Sequence, residues 1–136
     1  MDSSPSIGKI FGIDIELHWT FILLLLLTLL ISFYVFLLIV LLFICVLLHE
    51  LAHSVTSIRN GIKVKKIVLL PIGGASIIDD ISIDPRTEFN IAIAGPIMSL
   101  FLAGLFGIFA IFSPIGIIRE TMQIMFEMNF LLGAFN

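Results

Sequence analysis

Residues 17–58 read LHWTFILLLLLTLLISFYVFLLIVLLFICVLLHELAHSVTSI. Leu17–Leu48 contains no Asp, Glu, Lys or Arg, and the apolar character runs on with interruptions to Ile58. As one helix this stretch would be roughly 60 Å long. The hydrocarbon core of a bilayer is only about 30 Å thick. Two spans joined by a tight turn therefore account for it better than one. Ser32–Tyr34 is the most polar point near the middle and takes the turn. That gives a first span over 17–33 and a second over 34–60. Arg59-Asn60-Gly61 closes the second with a cation and a glycine, as helix C-termini prefer.

The composition points the same way. Of 136 residues, 60% are apolar and 12% charged, against roughly 45–50% and about 25% in soluble domains. Seven Lys+Arg and ten Asp+Glu are too few to cover a water-soluble globule. Disorder and collagen-like repeats are excluded, and the length allows one domain. The net charge of -3 argues against a nucleic-acid partner. The single cysteine, Cys45, cannot form an internal disulfide and leaves the compartment unread. The polar, mixed-charge start and the long apolar run after it do not fit a cleavable leader.

Outward from the long stretch, 1–16 is expected to be an interfacial segment, frayed over 1–8 and extended near Ile10–Glu16. Residues 61–84 suggest a surface or re-entrant hairpin. One strand is expected over 62–70 and a second over 76–83, with an acidic turn at Asp79-Asp80. Asp84-Pro85 fits a helix N-cap followed by proline. A third span follows over 89–112, ending near Ser113-Pro114. Its Gly95, Ser99, Ala103 and Gly107 lie on one helical face. They either admit a neighbouring helix closely or reflect the ordinary composition of membrane helices. Gly95-Pro96 is a candidate kink. A fourth apolar segment begins near Thr121 and is still running at Asn136, so the sequence is expected to stop inside a helix. The fold class is thus an all-α transmembrane bundle of about four helical segments, the last incomplete, with a small cytoplasmic-side β-sheet or hairpin. With the N-terminus inside, Lys9, Arg59, Lys63, Lys65, Lys66 and Arg86 are cytoplasmic and only Arg119 is outside. That distribution predicts a multi-pass protein of the cell membrane with a cytoplasmic N-terminus.

Within the second span stands His49-Glu50-Leu51-Ala52-His53. Histidines four apart project from one helical face and can share a metal ion. Zinc takes imidazole nitrogens at about 2.0–2.1 Å. Glu50, next to the first histidine, can act as base toward a water that zinc acidifies. Ionisable groups at this depth are costly unless paired or used. The alternative is a hydrogen-bonded polar cluster that ties helices together. A zinc site needs a third protein ligand. Cys45 is one turn too far along a straight helix and is read as a buried thiol. His18 is read as an interfacial histidine beside Trp19. Asp79, Asp80, Asp84 and Glu88 are read as solvated or capping groups, and Glu127 as lying near the outer surface.

These residues, taken in order, resemble the site-2 protease family of intramembrane zinc metalloproteases. The resemblance rests on Gly12-Ile13 with Leu17-His18-Trp19-Thr20-Phe21, on His49–His53, and on Leu69-Leu70-Pro71-Ile72-Gly73-Gly74. It extends to Ala94-Gly95-Pro96 and to Asn129-Phe130-Leu131-Leu132-Gly133-Ala134-Phe135-Asn136. It implies that His49 and His53 bind one zinc ion and that Glu50 activates water. It further implies cleavage of a transmembrane protein substrate near the cytoplasmic face of the bilayer. The family's third ligand is an aspartate of an Asp-Gly motif shortly after the position of Asn136. The chain lacks it, so truncation is expected, and with it weak metal binding or inactivity of the chain alone.

Extended backbone inside a bilayer needs hydrogen-bond partners. The stretch Ile67–Leu70 with 71–75 would offer a strand edge to an unwound substrate. Gly73 and Gly74 would permit its close approach, unless the segment only plugs the bundle. Asn129 is assigned to the site by resemblance, with helix pairing as the alternative. Two rival functions remain: a zinc-binding membrane module or inactive fragment without hydrolysis, and an ion- or proton-conducting membrane protein. The oligomeric state is not readable.

Overall fold

Ser32 breaks the long apolar stretch. In the computed structural model, which describes residues 4–79 and 82–135, it is extended, with φ -164° and ψ 130°. It separates α1 (Trp19–Ile31) from α2 (Phe33–Arg59). Phe21 and Phe43, each eleven residues from Ser32, meet with ring centroids 4.2 Å apart. The two helices therefore form an antiparallel hairpin. His18 caps α1, its Nδ1 accepting from the Thr20 N–H at 3.4 Å and lying 2.6 Å from the Thr20 hydroxyl. Gly61, at φ +80°, turns the chain after α2, a conformation that costs glycine little.

Four strands, β1 (Ser6–Ile10), β2 (Ile13–Leu17), β3 (Val64–Leu70) and β4 (Gly73–Ile78), form one sheet in the order β1-β2-β3-β4. The β2–β3 pair is parallel and the other pairs are antiparallel. Parallel neighbours need a long crossover, and the α1–α2 hairpin is that crossover. Alternation along the strands sends Ile13, Ile15, Ile67 and Leu69 inward, where they pack with Phe43, Val46 and Leu51 of α2. Asp14 and Glu16 alternate with these and project from the other face. There Lys9 pairs with Asp14 at 3.6 Å and Lys66 with Glu16 at 3.0 Å.

α3 (Pro85–Phe112) starts at Asp84, whose carboxylate accepts from the Thr87 N–H at 3.2 Å. It runs through Pro96 without interruption. α4 (Gly116–Phe135) packs along it. Gly95, Ser99 and Ala103 are buried. A methyl at Gly133 would stand 3.1 Å from the Pro96 carbonyl oxygen, so the two backbones nearly touch.

Several sequence expectations change. The first span, expected over 17–33, is helical only over Trp19–Ile31, because Leu17 pairs with Leu69 in the sheet. Among the described helices, α2 and α3 are long and apolar enough to cross a membrane. α1, with 13 residues, reaches only about 20 Å. The segment 1–16, expected to be extended near Ile10–Glu16, forms a β-hairpin from Ser6 onward, and 6–8, expected to be frayed, pair with β2. The strand expected over 62–70 starts at Val64. The second strand is Gly73–Ile78, not 76–83, because Pro71-Ile72 alone makes the turn. Asp80 lies outside the described residues. Ile67–Leu70 is not an edge: β3 is sandwiched between β2 and β4. α4 begins at Gly116, ahead of the expected Thr121.

Candidate metal centre

α2 carries His49 and His53 one helical turn apart, and their Nε2 atoms converge to 3.1 Å. Each ring is fixed from behind by α3. His53 Nδ1 donates to the Ile91 carbonyl oxygen at 2.7 Å. A carbonyl only accepts, so the proton is on Nδ1 and the Nε2 lone pair is free. His49 Nδ1 lies 2.7 Å from Ser99 Oγ, and both residues are fully buried. Glu50 points to the sheet, where the Ser76 hydroxyl donates to its Oε2 at 2.9 Å. Ser54 Oγ lies 3.3 Å from the same hydroxyl.

Two glycines make this packing possible. A methyl carbon built at Gly95 would stand 2.5 Å from His49 Nε2 and would also run into His53 Nε2. One built at Gly74 would run into the Glu50 side chain, with Cδ at 3.1 Å. Gly95 therefore keeps open the space in front of the imidazoles, and Gly74 lets β4 lie against the carboxylate. Gly73 has φ +141° and no atom within 4 Å of such a methyl. With Leu42, Val46, Ile72, Leu131 and Phe135 it lines an apolar groove of about 480 Å³ between α2, the β3–β4 turn and α4.

The other candidate ligands stand elsewhere. One ligand atom from each of His49, Glu50 and His53 lies within 4.8 Å of the others, the group among the described residues with the donors for a metal ion. His18 is engaged in capping α1 and lies beside Trp19 at 5.7 Å between ring centroids. Cys45 is buried next to the Asn129 side chain. Asn129 is fully buried on α4; its Nδ2 donates to the Met125 carbonyl at 2.8 Å, and its Oδ1 has no partner. Asp79 pairs with Lys65 at 2.6 Å, a hydrogen-bonded contact that holds its carboxyl below the ordinary range. Glu88 lines a cavity of about 400 Å³ with Ser57 and Ile91. Glu127 is exposed.

Sequence reasoning missed the three groups that orient the site: Ser99, the Ile91 carbonyl and Ser76. Ser99 carried a signal, as the polar member of the small-residue stripe on α3. The other two carried none.

The donor set fits zinc. Two imidazole nitrogens face one point, each ring is held through its other nitrogen, and a carboxylate stands beside them. That outer support is what zinc-ligating histidines use, and the space beside Gly95 is one that a single methyl would fill.

Comparison with known proteins agrees with this chemistry. The family model described as peptidase family M50 matches residues 37–135. A zinc metalloprotease of Methanocaldococcus jannaschii is 39% identical over 100% of this chain and 41% of its own length. The Rip3 zinc metalloprotease of Mycobacterium tuberculosis is 32% identical over 99% of this chain and 39% of its own. The solved structure of the site-2 protease from Methanocaldococcus jannaschii superposes with a TM-score of 0.81 at 38% identity, covering 97% of this chain and 63% of that one. The chain spans about two-fifths of the length of these curated relatives.

Proposed function

Because this chain belongs to peptidase family M50, the site-2 protease group of zinc metalloproteases, we propose that it carries the hydrolytic centre of an intramembrane protease. Its substrate would be a transmembrane protein, cut near the cytoplasmic face of the bilayer. The observation that carries the reading is the meeting of two imidazole nitrogens, 3.1 Å apart, with the Glu50 carboxylate at one place in the fold.

His49 and His53 would hold the zinc, with Ser99 and the Ile91 carbonyl fixing the rings. When bound, zinc supplies a positive charge that acidifies a neighbouring water and polarises a carbonyl. Glu50 is the base. Ser76 holds its Oε2, and Oε1 takes the proton of the attacking water and returns it to the departing amide nitrogen. The substrate helix must unwind before its peptide bonds are open to attack. β4 is the strand that receives it: it ends the sheet order and lies over Glu50 through Gly74. Backbone pairing along Gly73–Ile78 would satisfy the hydrogen-bonding groups of the unwound segment. Asn129, with its unpartnered Oδ1, offers a further acceptor next to Cys45, one turn of α2 before His49. The excess of Lys and Arg on 1–16 and 59–88 supports a cytoplasmic N-terminus and site opening.

The test is metal analysis of the protein extended past Asn136, assayed with a model transmembrane substrate. One zinc per chain is expected, lost in His49→Ala. Glu50→Gln should retain the metal and abolish cleavage. A metal-loaded Glu50→Gln protein that still cleaves removes Glu50 from the mechanism. Zinc binding with no cleavage by the wild type would favour the non-hydrolytic module.

A further inference from the structure

The helices of the bundle differ in length on its two flanks. α1 has 13 residues, whereas α2 and α3 have 27 and 28. Phe21 meets Phe43 across the hairpin, so Trp19 at the start of α1 stands level with Cys45, beside the midpoint of α2. The sheet ends at the same level, where the His18 N–H donates to the Leu69 carbonyl at 2.9 Å. Beyond that level the remaining half of α2 is flanked by strands instead of α1. The outward face of those strands carries Lys9–Asp14 and Lys66–Glu16. Lys65–Asp79 adds a third pair, its lysine well exposed. Charged groups of this kind are costly in hydrocarbon and belong in the headgroup region or water. Trp19, 56% exposed, and His18 mark the boundary as interfacial residues do.

The α3 flank is different. Ser99 lies against His49 and Ile91 against His53, so α3 runs antiparallel to α2. Phe101 therefore falls level with about Val46, and Phe89 with the last turns of α2. Phe89, Ile97 and Phe101 are all exposed apolar groups, the last by 60%. On this side the hydrocarbon-facing surface continues past the level at which, on the other side, the charged sheet has already begun.

We propose that the face formed by α1 and the charged side of the sheet is a lipid-binding surface fitted to a thinned bilayer. Phospholipid headgroups are drawn in along it to the level of Trp19. The apolar length of α1, about 20 Å, sets the local hydrocarbon thickness, and the lipids adapt because a short apolar segment in a thicker bilayer thins it. Lys9 and Lys65, both well exposed, face the phosphates. Glu50, five residues beyond Cys45, then lies about 7 Å to the aqueous side of the boundary on this flank. On the α3 flank it remains under apolar cover. Water would reach the base from the sheet side while the opposite side still faces acyl chains.

Trp19 is the single tryptophan of the chain, so its depth can be read directly. The protein is placed in phosphatidylcholine vesicles of 18-carbon chains, brominated either near the headgroup end or near the methyl end. Trp19 emission should lose more intensity to the shallow bromines. In the Trp19→Phe, Phe101→Trp double variant, the new indole sits at the same level on the other flank and should lose more to the deep bromines. Stronger quenching of Trp19 by the deep bromines means an undeformed bilayer and overturns the proposal. Quenching of Trp19 by aqueous acrylamide but by neither lipid means a water-filled recess and overturns it too. If the double variant fails to fold, the order of the two quenchers on wild-type Trp19 still decides. In an undeformed bilayer centred on α2, that indole lies near the midplane. None of these readouts needs protease activity, so they stand or fall apart from the proposed function.

Discussion

Gly95→Ala puts a single methyl into the metal centre, and its consequence can be worked from distances. The new carbon would stand 2.5 Å from His49 Nε2 and would also collide with His53 Nε2. An ordinary heavy-atom contact is about 3.5 Å, so α3 must retreat or the imidazoles must turn by about 1 Å. Turning them breaks the bond to Ser99 or to the Ile91 carbonyl, each 2.7 Å long. Retreat loosens the α2–α3 seam. Overpacking of this kind costs about 1–3 kcal/mol, which corresponds to about 5–150-fold in an equilibrium constant. The methyl also stands about as near the nitrogens as a zinc ion would, at about 2.0–2.1 Å, so it competes with the ion for the same space. Zinc affinity in micelles, measured by competition with a chromophoric chelator, should fall at least within that range. Gly104→Ala is the control on the same helix, where the added carbon meets nothing within 4 Å. It should leave zinc affinity unchanged. Wild-type zinc affinity in Gly95→Ala, with unaltered helicity, would refute the placement of the metal between α2 and α3.

Three further outcomes follow from the same contacts. Ser99→Ala removes the partner of His49 Nδ1 and should weaken zinc binding about 10–100-fold, read by the same chelator competition, with Ser99→Thr recovering part of the loss. Gly74→Val pushes β4 away from Glu50; turnover of a transmembrane substrate should drop while zinc content stays at the wild-type level, and unchanged turnover would count against β4 as the receiving strand. The Thr87 hydroxyl and N–H hold the Asp84 carboxyl below its ordinary range. This cap should thus be at full strength above the ordinary carboxylate pKa and fade as pH falls through the depressed value. Asp84→Ala should lower the melting temperature at neutral pH and make no difference in strong acid, as followed by circular dichroism.

The features legible in the sequence are those fixed by neighbours along the chain. The break at Ser32 shows because a lone polar residue interrupts a long apolar run. The pair His49 and His53, with Glu50 between them, shows because helical periodicity alone puts the imidazoles on one face. The shortness of α1 does not show, because Leu17 is as apolar as the helix that follows. Only pairing with Leu69, across the whole helical hairpin, makes it a strand residue. The strand at Ser6–Ile10 and the early start of β4 at Gly73 are likewise decided by partners, and Gly73 and Gly74 argue locally for a loop. The orientation of the imidazoles lay beyond reach for the same reason: His49 and Ser99 are 50 residues apart, and His53 and Ile91 are 38.

The contacts to Ser99 and Ile91 bear on why the centre is built for an ion at all. A neutral imidazole has one donor and one acceptor nitrogen. With Nδ1 committed to a carbonyl, His53 can present only a lone pair at Nε2. His49 Nε2 faces the same point from 3.1 Å. If His49 held its proton on Nε2, the two rings could hydrogen-bond to one another, Ser99 would donate to His49 Nδ1, and the cluster would be satisfied without a metal. If Ser99 accepts from Nδ1, both Nε2 lone pairs are left facing each other, and only a cation relieves them. The Ser99 hydroxyl can play either part, so the same buried groups serve a metal-free and a metal-bound centre. A metal would then need only a tautomer change, the His49 proton passing from Nε2 to Nδ1 as the Ser99 hydroxyl reverses, with no helix displaced. That exchange releases no net proton, and it gives Ser99 a role that a small apolar residue in the same stripe could not fill.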